Sequence, residues 1–153
     1  MSKKIMTLCC IYNDTQILLG IKKRGFGEGR WNGFGGKVHA GETIEDATKR
    51  ELEEEAGIKV EKIDKRGVLV FEFKGNPEKL EMHIFSSDTF KGEPIETEEM
   101  KPQWFSLDKI PYNSMWPDDP YWIPSMLAGK NFSGKFLFDS DGKTVLEYEF
   151  EEI

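Results

Sequence analysis

Apolar residues fall in short runs broken by glycine, proline and acidic stretches, and no run is long enough to span a membrane as a helix. Ile5–Tyr12 and Gln16–Lys22 read as two strands joined by a turn at Asn13-Asp14. Further strands are predicted within Val60–Phe73, Leu80–Phe90, Gln103–Ser106, Lys135–Asp139 and Thr144–Phe150. Lys74-Gly75-Asn76-Pro77 marks a turn, and Ser140-Asp141-Gly142 the turn of a final hairpin. Two segments carry a helical pattern. The first opens at Thr43, with Asp46 three residues on in a capping-box arrangement, and stops at Gly57. The second starts around Asp119–Pro124 and runs to about Ala128, with Pro124 disturbing its first turn. Strands around two helices predict an α/β sandwich with a mixed sheet.

The first helix buries an unusual face. At about 100° per residue, Ile44, Ala47, Thr48, Glu51, Leu52 and Glu55 share one side, with Glu54 at its edge and Glu45, Lys49 and Glu53 pointing away. Glu51 and Glu55 therefore project where the helix packs on the core. Buried carboxylates without a partner are costly, and a bound cation removes that cost. The alternative is a solvated acidic helix. The apolar neighbours and the glycine-bounded entry loop favour a divalent-metal site, which is a tool for phosphate chemistry.

The stretch GKVHAGETIEDATKRELEEEAGI, residues 36–58, resembles the Nudix box, G-x5-E-x7-R-E-U-x-E-E-x-G-U with U a bulky aliphatic residue. Gly36, Glu42, Arg50, Glu51, Leu52, Glu54, Glu55, Gly57 and Ile58 fill every fixed position. The resemblance implies an α/β/α Nudix fold with a mixed curved sheet and two main helices, spanning 1–153 as a single domain. It also implies that Glu51, Glu54 and Glu55, with the Gly36 carbonyl, bind Mg2+, for which Mn2+ can substitute. Arg50 and Glu42 then orient the carboxylates and tie loop to helix.

Composition narrows the partner class. The chain has 153 residues and a net charge of −7, which disfavours a nucleic-acid polymer as partner and leaves a small nucleotide open. The only cysteines, Cys9 and Cys10, are adjacent, poorly placed for a mutual disulfide and expected to fill a strand in a reducing compartment. No signal peptide is read at the start. The expectation is a monomer in the cytoplasm, free of membrane partners, with a minor mitochondrial or nuclear pool left open.

The resemblance extends past the box. KKRGFGEGRWNGFGGK at 22–37, FEF at 71–73, EMKPQWF at 99–105 and WPDDPYW at 116–122 are similar to one branch, the animal MutT homologues that hydrolyse oxidised purine nucleoside triphosphates. That branch implies hydrolysis of 8-oxo-dGTP, 2-oxo-dATP and also O6-methyl-dGTP and N6-methyl-dATP to the monophosphate and pyrophosphate. It implies a base pocket walled by Phe26, Phe34, Phe71, Phe73, Leu80, Trp116, Pro117 and Trp122. Core packing is the competing role for Phe71 and Phe73. Asn32 reads the purine edge through its amide, and a turn-forming role is its alternative. Thr7, Lys22, Gly35, Gly36 and Lys37 contact the rest of the nucleotide. Asp118 and Asp119 are the specificity pair: close carboxylates beside apolar rings raise each other's pKa and can match different purine edges by moving a proton. A helix N-cap at Asp119 beside a solvated Asp118 is the alternative. Glu55 is the first choice of general base; Glu99 is the second and a further candidate metal ligand.

Pro120, the Cys9-Cys10 pair and Leu80 depart from the branch pattern and bear on base preference. Two other readings stand beside sanitation of damaged purines: a Nudix enzyme for a dinucleotide, sugar nucleotide or cap, and a non-catalytic Nudix-fold binding module.

Overall fold

The computed structural model describes residues 3–153. Nine strands form one mixed sheet: β1 (Lys3–Tyr12), β2 (Gln16–Lys22), β3 (Trp31–Asn32), β4 (Phe34–Lys37), β5 (Asp64–Phe73), β6 (Lys79–Ser87), β7 (Met100–Ser106), β8 (Phe132–Phe138) and β9 (Val145–Glu152). The main order is β3-β2-β1-β6-β5-β8-β9, with β4 also on β1 and β7 also on β2. The β1–β6 and β5–β8 pairs are parallel and the others antiparallel, so the sheet is mixed. Two helices accompany it, α1 (Ile44–Ala56) and α2 (Asp119–Leu127).

Strand alternation explains the layers. In β1, Cys9 and Ile11 join a core with Leu52 and Ala56 of α1, whereas Leu8 and Cys10 join a core with Trp122, Ile123 and Met126 of α2. The helices thus cover opposite faces of one sheet. Alternation also turns Cys9 and Cys10 to opposite faces as buried free thiols, and burial pushes Cys9 up to about 12.

The ends of α1 follow the sequence closely. Thr43 accepts a hydrogen bond from the Asp46 amide at 3.0 Å, and Gly57 adopts the left-handed conformation (φ 73°) that closes the helix. Asn13 builds the first turn by accepting from the amides of Thr15 and Gln16. At α2, the alternative of an Asp119 N-cap is not what forms: Asp119 is the first helical residue, and Asp118 stands at the N-cap position without a capping bond from its side chain. Pro120 lies in the first turn, where its missing N–H has no helical partner to lose.

Two features of the sheet run beyond the expected elements. The glycine-rich run 31–37 forms β3 and β4 rather than only a loop. Gly35 makes β4 possible, because a Cβ there would lie 1.8 Å from the Thr7 carbonyl oxygen on β1. In β5, an irregularity in the pairing at Arg66 accompanies a buried guanidinium. Arg66 donates to the Met126 carbonyl at 2.8 Å and the Lys130 carbonyl at 3.0 Å, fixing the C-terminal end of α2. Among the described residues no helix is long and apolar enough to cross a membrane.

Candidate active site

Box carboxylates and a deep pocket meet at β1, β4 and α1. Glu55 is buried on the sheet-facing side of α1. It accepts from the Gly35 amide at 2.9 Å and faces Lys22 Nζ at 3.4 Å. Burial raises its pKa to about 7, against the opposing pull of Lys22 and the Gly35 N–H. Lys22 also reaches Glu99 Oε2 at 3.6 Å, so one lysine links the two candidate bases. Glu99 differs from Glu55 in electrostatics: its hydrogen bond from Arg24 (2.8 Å) holds its pKa below the ordinary value.

Arg50 organises the other carboxylates. It donates through Nε and Nη2 to both oxygens of Glu42 (2.7 and 3.0 Å) and through Nη2 to the Lys37 carbonyl (3.1 Å). Its Nη1 meets Glu51 at 2.6 Å and Glu54 at 3.2 Å. Loop, strand and helix are therefore tied by one guanidinium, the supporting role expected for Arg50 and Glu42. Burial raises the pKa of Glu51 despite Arg50.

As they stand, no three His, Cys, Asp or Glu side chains among the described residues are gathered into a cation cage. Glu51 and Glu54 turn to Arg50, and Glu55 turns to Gly35 and Lys22. The donor set nevertheless fits a hard divalent ion. The three box side-chain donors, Glu51, Glu54 and Glu55, are carboxylates on one helix, and Glu51 lies against Gly36 so closely that a Cβ there would meet its carboxyl carbon at 2.7 Å. Without a side chain, Gly36 leaves room for that carboxylate against β4.

The pocket opens between this cluster and α2. Thr7, Lys22, Phe26, Asn32, Gly35, Gly36, Phe71, Phe73, Leu80, Trp116, Asp118, Asp119 and Trp122, all expected from the sequence, line it with Glu55. Thr7 is fully buried and its hydroxyl meets that of Thr48 on α1. Asn32 uses Oδ1 to accept from the Gly33 amide at 2.9 Å, which fixes the orientation of its amide. Phe26, Phe73 and Trp116 cluster at the mouth, with the Phe26 and Trp116 centroids 4.9 Å apart. Phe26 is 62% exposed, an unusual setting for a large apolar ring.

Asp118 and Asp119 are each 2% exposed, so the pair is buried rather than solvated. Asp118 accepts from Trp122 Nε1 at 2.8 Å, and burial raises its pKa to about 6. Burial and the neighbouring Asp118 push Asp119 well above the usual range. Asp119 Oδ2 is buried without a hydrogen-bond partner in a pocket lined by aromatic rings.

Three expected substrate contacts are not among the residues that line this pocket. Phe34 is fully buried in the α1-side core, because alternation along β4 turns it away from the pocket. Lys37 lies on an outer groove and uses its carbonyl to accept from Arg50. Pro117 is absent from the pocket lining and precedes the buried pair in the chain. The basic cluster is also more paired than expected: Lys23 bonds Glu96 at 2.6 Å and Arg24 bonds Glu99, joining β2 to the acidic loop.

Several lining residues had not been singled out. Met82 and Ile84 follow Leu80 on the same face of β6, a signal that period-two alternation carried. Phe138 reaches the pocket because β8 pairs with β5 opposite Phe73, a long-range register with no local mark. Arg30 lies with its guanidinium 3.9 Å over Trp116, and nothing in its sequence context distinguishes it from a surface arginine.

Residues 3–126 match the NUDIX domain model. The chain belongs to the Nudix family. It is 53% identical over 152 residues to the oxidized purine nucleoside triphosphate hydrolase of Mus musculus, covering 99% of this chain and 97% of the mouse protein. The protein of the same name from Danio rerio is 49% identical over 152 residues, with the same coverage of both chains. Among solved structures, the MutT protein from Bacillus halodurans superimposes with a TM-score of 0.86 at 27% identity, covering 97% of each chain. This Nudix fold is the α/β sandwich expected from the box and the strand pattern.

Proposed function

We propose that this Nudix hydrolase cleaves oxidised purine nucleoside triphosphates to the monophosphate and pyrophosphate. The observation that carries the reading is the buried Asp118–Asp119 pair in an aromatic pocket that also reaches Glu55. The 53% and 49% identical relatives, named for this activity, support the substrate class.

The aromatic rings supply flat apolar walls for a base, and the unpartnered Asp119 Oδ2 is free to hydrogen-bond to its edge, donating while the carboxyl is protonated and accepting once it ionises. The pair shares protons more readily than solvated aspartates because burial raises both pKa values. It can therefore offer a donor and an acceptor together, which suits oxidised guanine and oxidised adenine in turn. Asn32 adds an oriented amide. This arrangement sets the base while the phosphates extend toward Lys22, the Gly35–Gly36 backbone and α1.

Glu51, Glu54, Glu55 and the Gly36 carbonyl would hold Mg2+, with Glu99 as a further ligand. When bound, the ion supplies charge neutralisation on the phosphates and activation of water. Glu55 takes the proton of the attacking water, because it is the buried box carboxylate that lines the pocket, held between the Gly35 amide and Lys22. Glu99, held acidic by Arg24, is the weaker base. Lys22 steadies both carboxylates and places a positive charge by the phosphates. We read the chain as one catalytic domain acting as a monomer in the cytoplasm, where buried free thiols suit the reducing conditions.

The test is substrate loss and nucleoside monophosphate formation, followed by chromatography, for a panel of 8-oxo-dGTP, 2-oxo-dATP, their undamaged counterparts, a dinucleotide and a sugar nucleotide, with pyrophosphate release measured for the triphosphates. The reading expects the oxidised triphosphates to lead in kcat/KM. Preference for the dinucleotide or sugar nucleotide would replace it.

A further inference from the structure

Arg30 joins three segments around the mouth of the base pocket. Its amide bonds the Gly27 carbonyl at 3.0 Å and its carbonyl accepts from Lys22 at 3.0 Å, so its backbone is fixed at the base of the β2–β3 loop. Its guanidinium lies 3.9 Å over Trp116, in cation–π geometry. Nη2 donates to the Gly142 carbonyl at 3.1 Å, in the hairpin between β8 and β9. Trp116 is confined on that hairpin side as well, because a Cβ on Gly142 would meet its ring at 3.2 Å. Nη1 is buried and has no partner among the described residues.

Arg30 lines the same pocket as Asp118 and Asp119, and Trp116, which its guanidinium covers, lies two and three residues before them. Its positive charge favours ionisation of both carboxyls, a smaller effect than the burial that disfavours it. Other groups bearing on the pair are Trp122 Nε1 on α2, Cys10 on β1 and Tyr112 in the turn before α2. Lys22 and Glu55 line the same pocket, and the charge of Arg66 acts on Cys10 beside the pair.

We propose that Arg30 is a positioning residue of the base pocket, holding Trp116 in place and setting a positive charge against Asp118 and Asp119. This rests on the base pocket described under the proposed function. The two roles separate by chemistry. A planar fork is needed to cover the indole and reach Gly142 together, and lysine lacks it. A positive charge alone suffices for the electrostatic role. Binding a purine through a shared proton ends as pH rises through the upper pKa of the pair. Removing the charge raises that pKa and moves the loss of activity to higher pH.

The experiment compares Arg30→Met and Arg30→Lys with the parent protein. Profiles of kcat/KM against pH are measured with 8-oxo-dGTP, and the aspartate carboxyls are titrated by 13C NMR without substrate. In Arg30→Met the alkaline limb and the carboxyl midpoints should both move up by about half a pH unit or more. In Arg30→Lys both should stay, while KM rises several-fold in each variant and kcat changes little. Unmoved carboxyl midpoints in a folded Arg30→Met protein would overturn the proposal, as would an equal shift in Arg30→Lys. The titration needs no substrate, so it decides the role of Arg30 even where the substrate panel fails. Preference of the parent protein for 8-oxo-dGTP over dGTP separately decides the substrate reading.

Discussion

Lys22 Nζ lies 3.4 Å from Glu55 Oε2, the carboxylate oxygen opposite the one that accepts from the Gly35 amide. The base is thus buried yet held between a cation and a backbone donor. Glu55→Gln keeps the shape and removes the proton acceptor. Activity should fall by about 10²- to 10⁴-fold with the fold intact, measured by pyrophosphate release and circular dichroism. Unchanged activity would move the base to another residue.

Gly36 sets how closely β4 can approach Glu51. In Gly36→Ala the new Cβ would meet the Glu51 carboxyl carbon at 2.7 Å. Gly36 lies outside the positive-φ glycines, so alanine fits its backbone and the damage is confined to the carboxylate. Mg2+ affinity should drop by about 10- to 100-fold by calorimetric titration, with little change in Tm. Unaltered affinity would remove Glu51 from the ligand set.

Asp118 trades stability for function. Its pKa rises from 3.8 to about 6 on folding. A carboxyl raised in this way favours the folded state fully below 3.8, and that contribution is lost as pH rises through about 6. Asp118→Asn should therefore be more stable than the parent above that range and converge with it in acid, while KM for the oxidised purine rises. Thermal melts at several pH values check the sign.

The two phenylalanines on either face of the sheet should behave differently. Phe34 is fully buried against α1, so Phe34→Ala should cost about 3–5 kcal/mol of stability in denaturant unfolding. Phe73 faces the pocket beside Phe26 and Trp116, so Phe73→Ala should raise KM several-fold at a smaller cost in stability.

These contrasts show what local sequence carries. The α1 ends, the Asn13 turn and the carboxylate face followed from spacing, because caps and helix faces depend on near neighbours. Strand positions were legible, but β3 and β4 were hidden by glycines that look like a loop until Thr7 on β1 packs against Gly35. Phe34 was misplaced for the same reason: its side of the sheet depends on which neighbour β4 pairs with. Arg30 and Arg66 work through contacts far along the chain, to Gly142 and to Met126 and Lys130, so neither carries a local signature. Asp118 and Asp119 stood out as a pair, but their burial and the orphaned oxygen of Asp119 needed the fold.

The most direct measurement is pyrophosphate release with Mg2+ from 8-oxo-dGTP and dGTP at equal low concentrations, for the parent protein and Asp119→Ala. The account predicts a strong preference for the oxidised nucleotide that collapses in the variant, because Asp119 Oδ2 loses its role at the base edge. Equal turnover of the two nucleotides by the parent protein would contradict it.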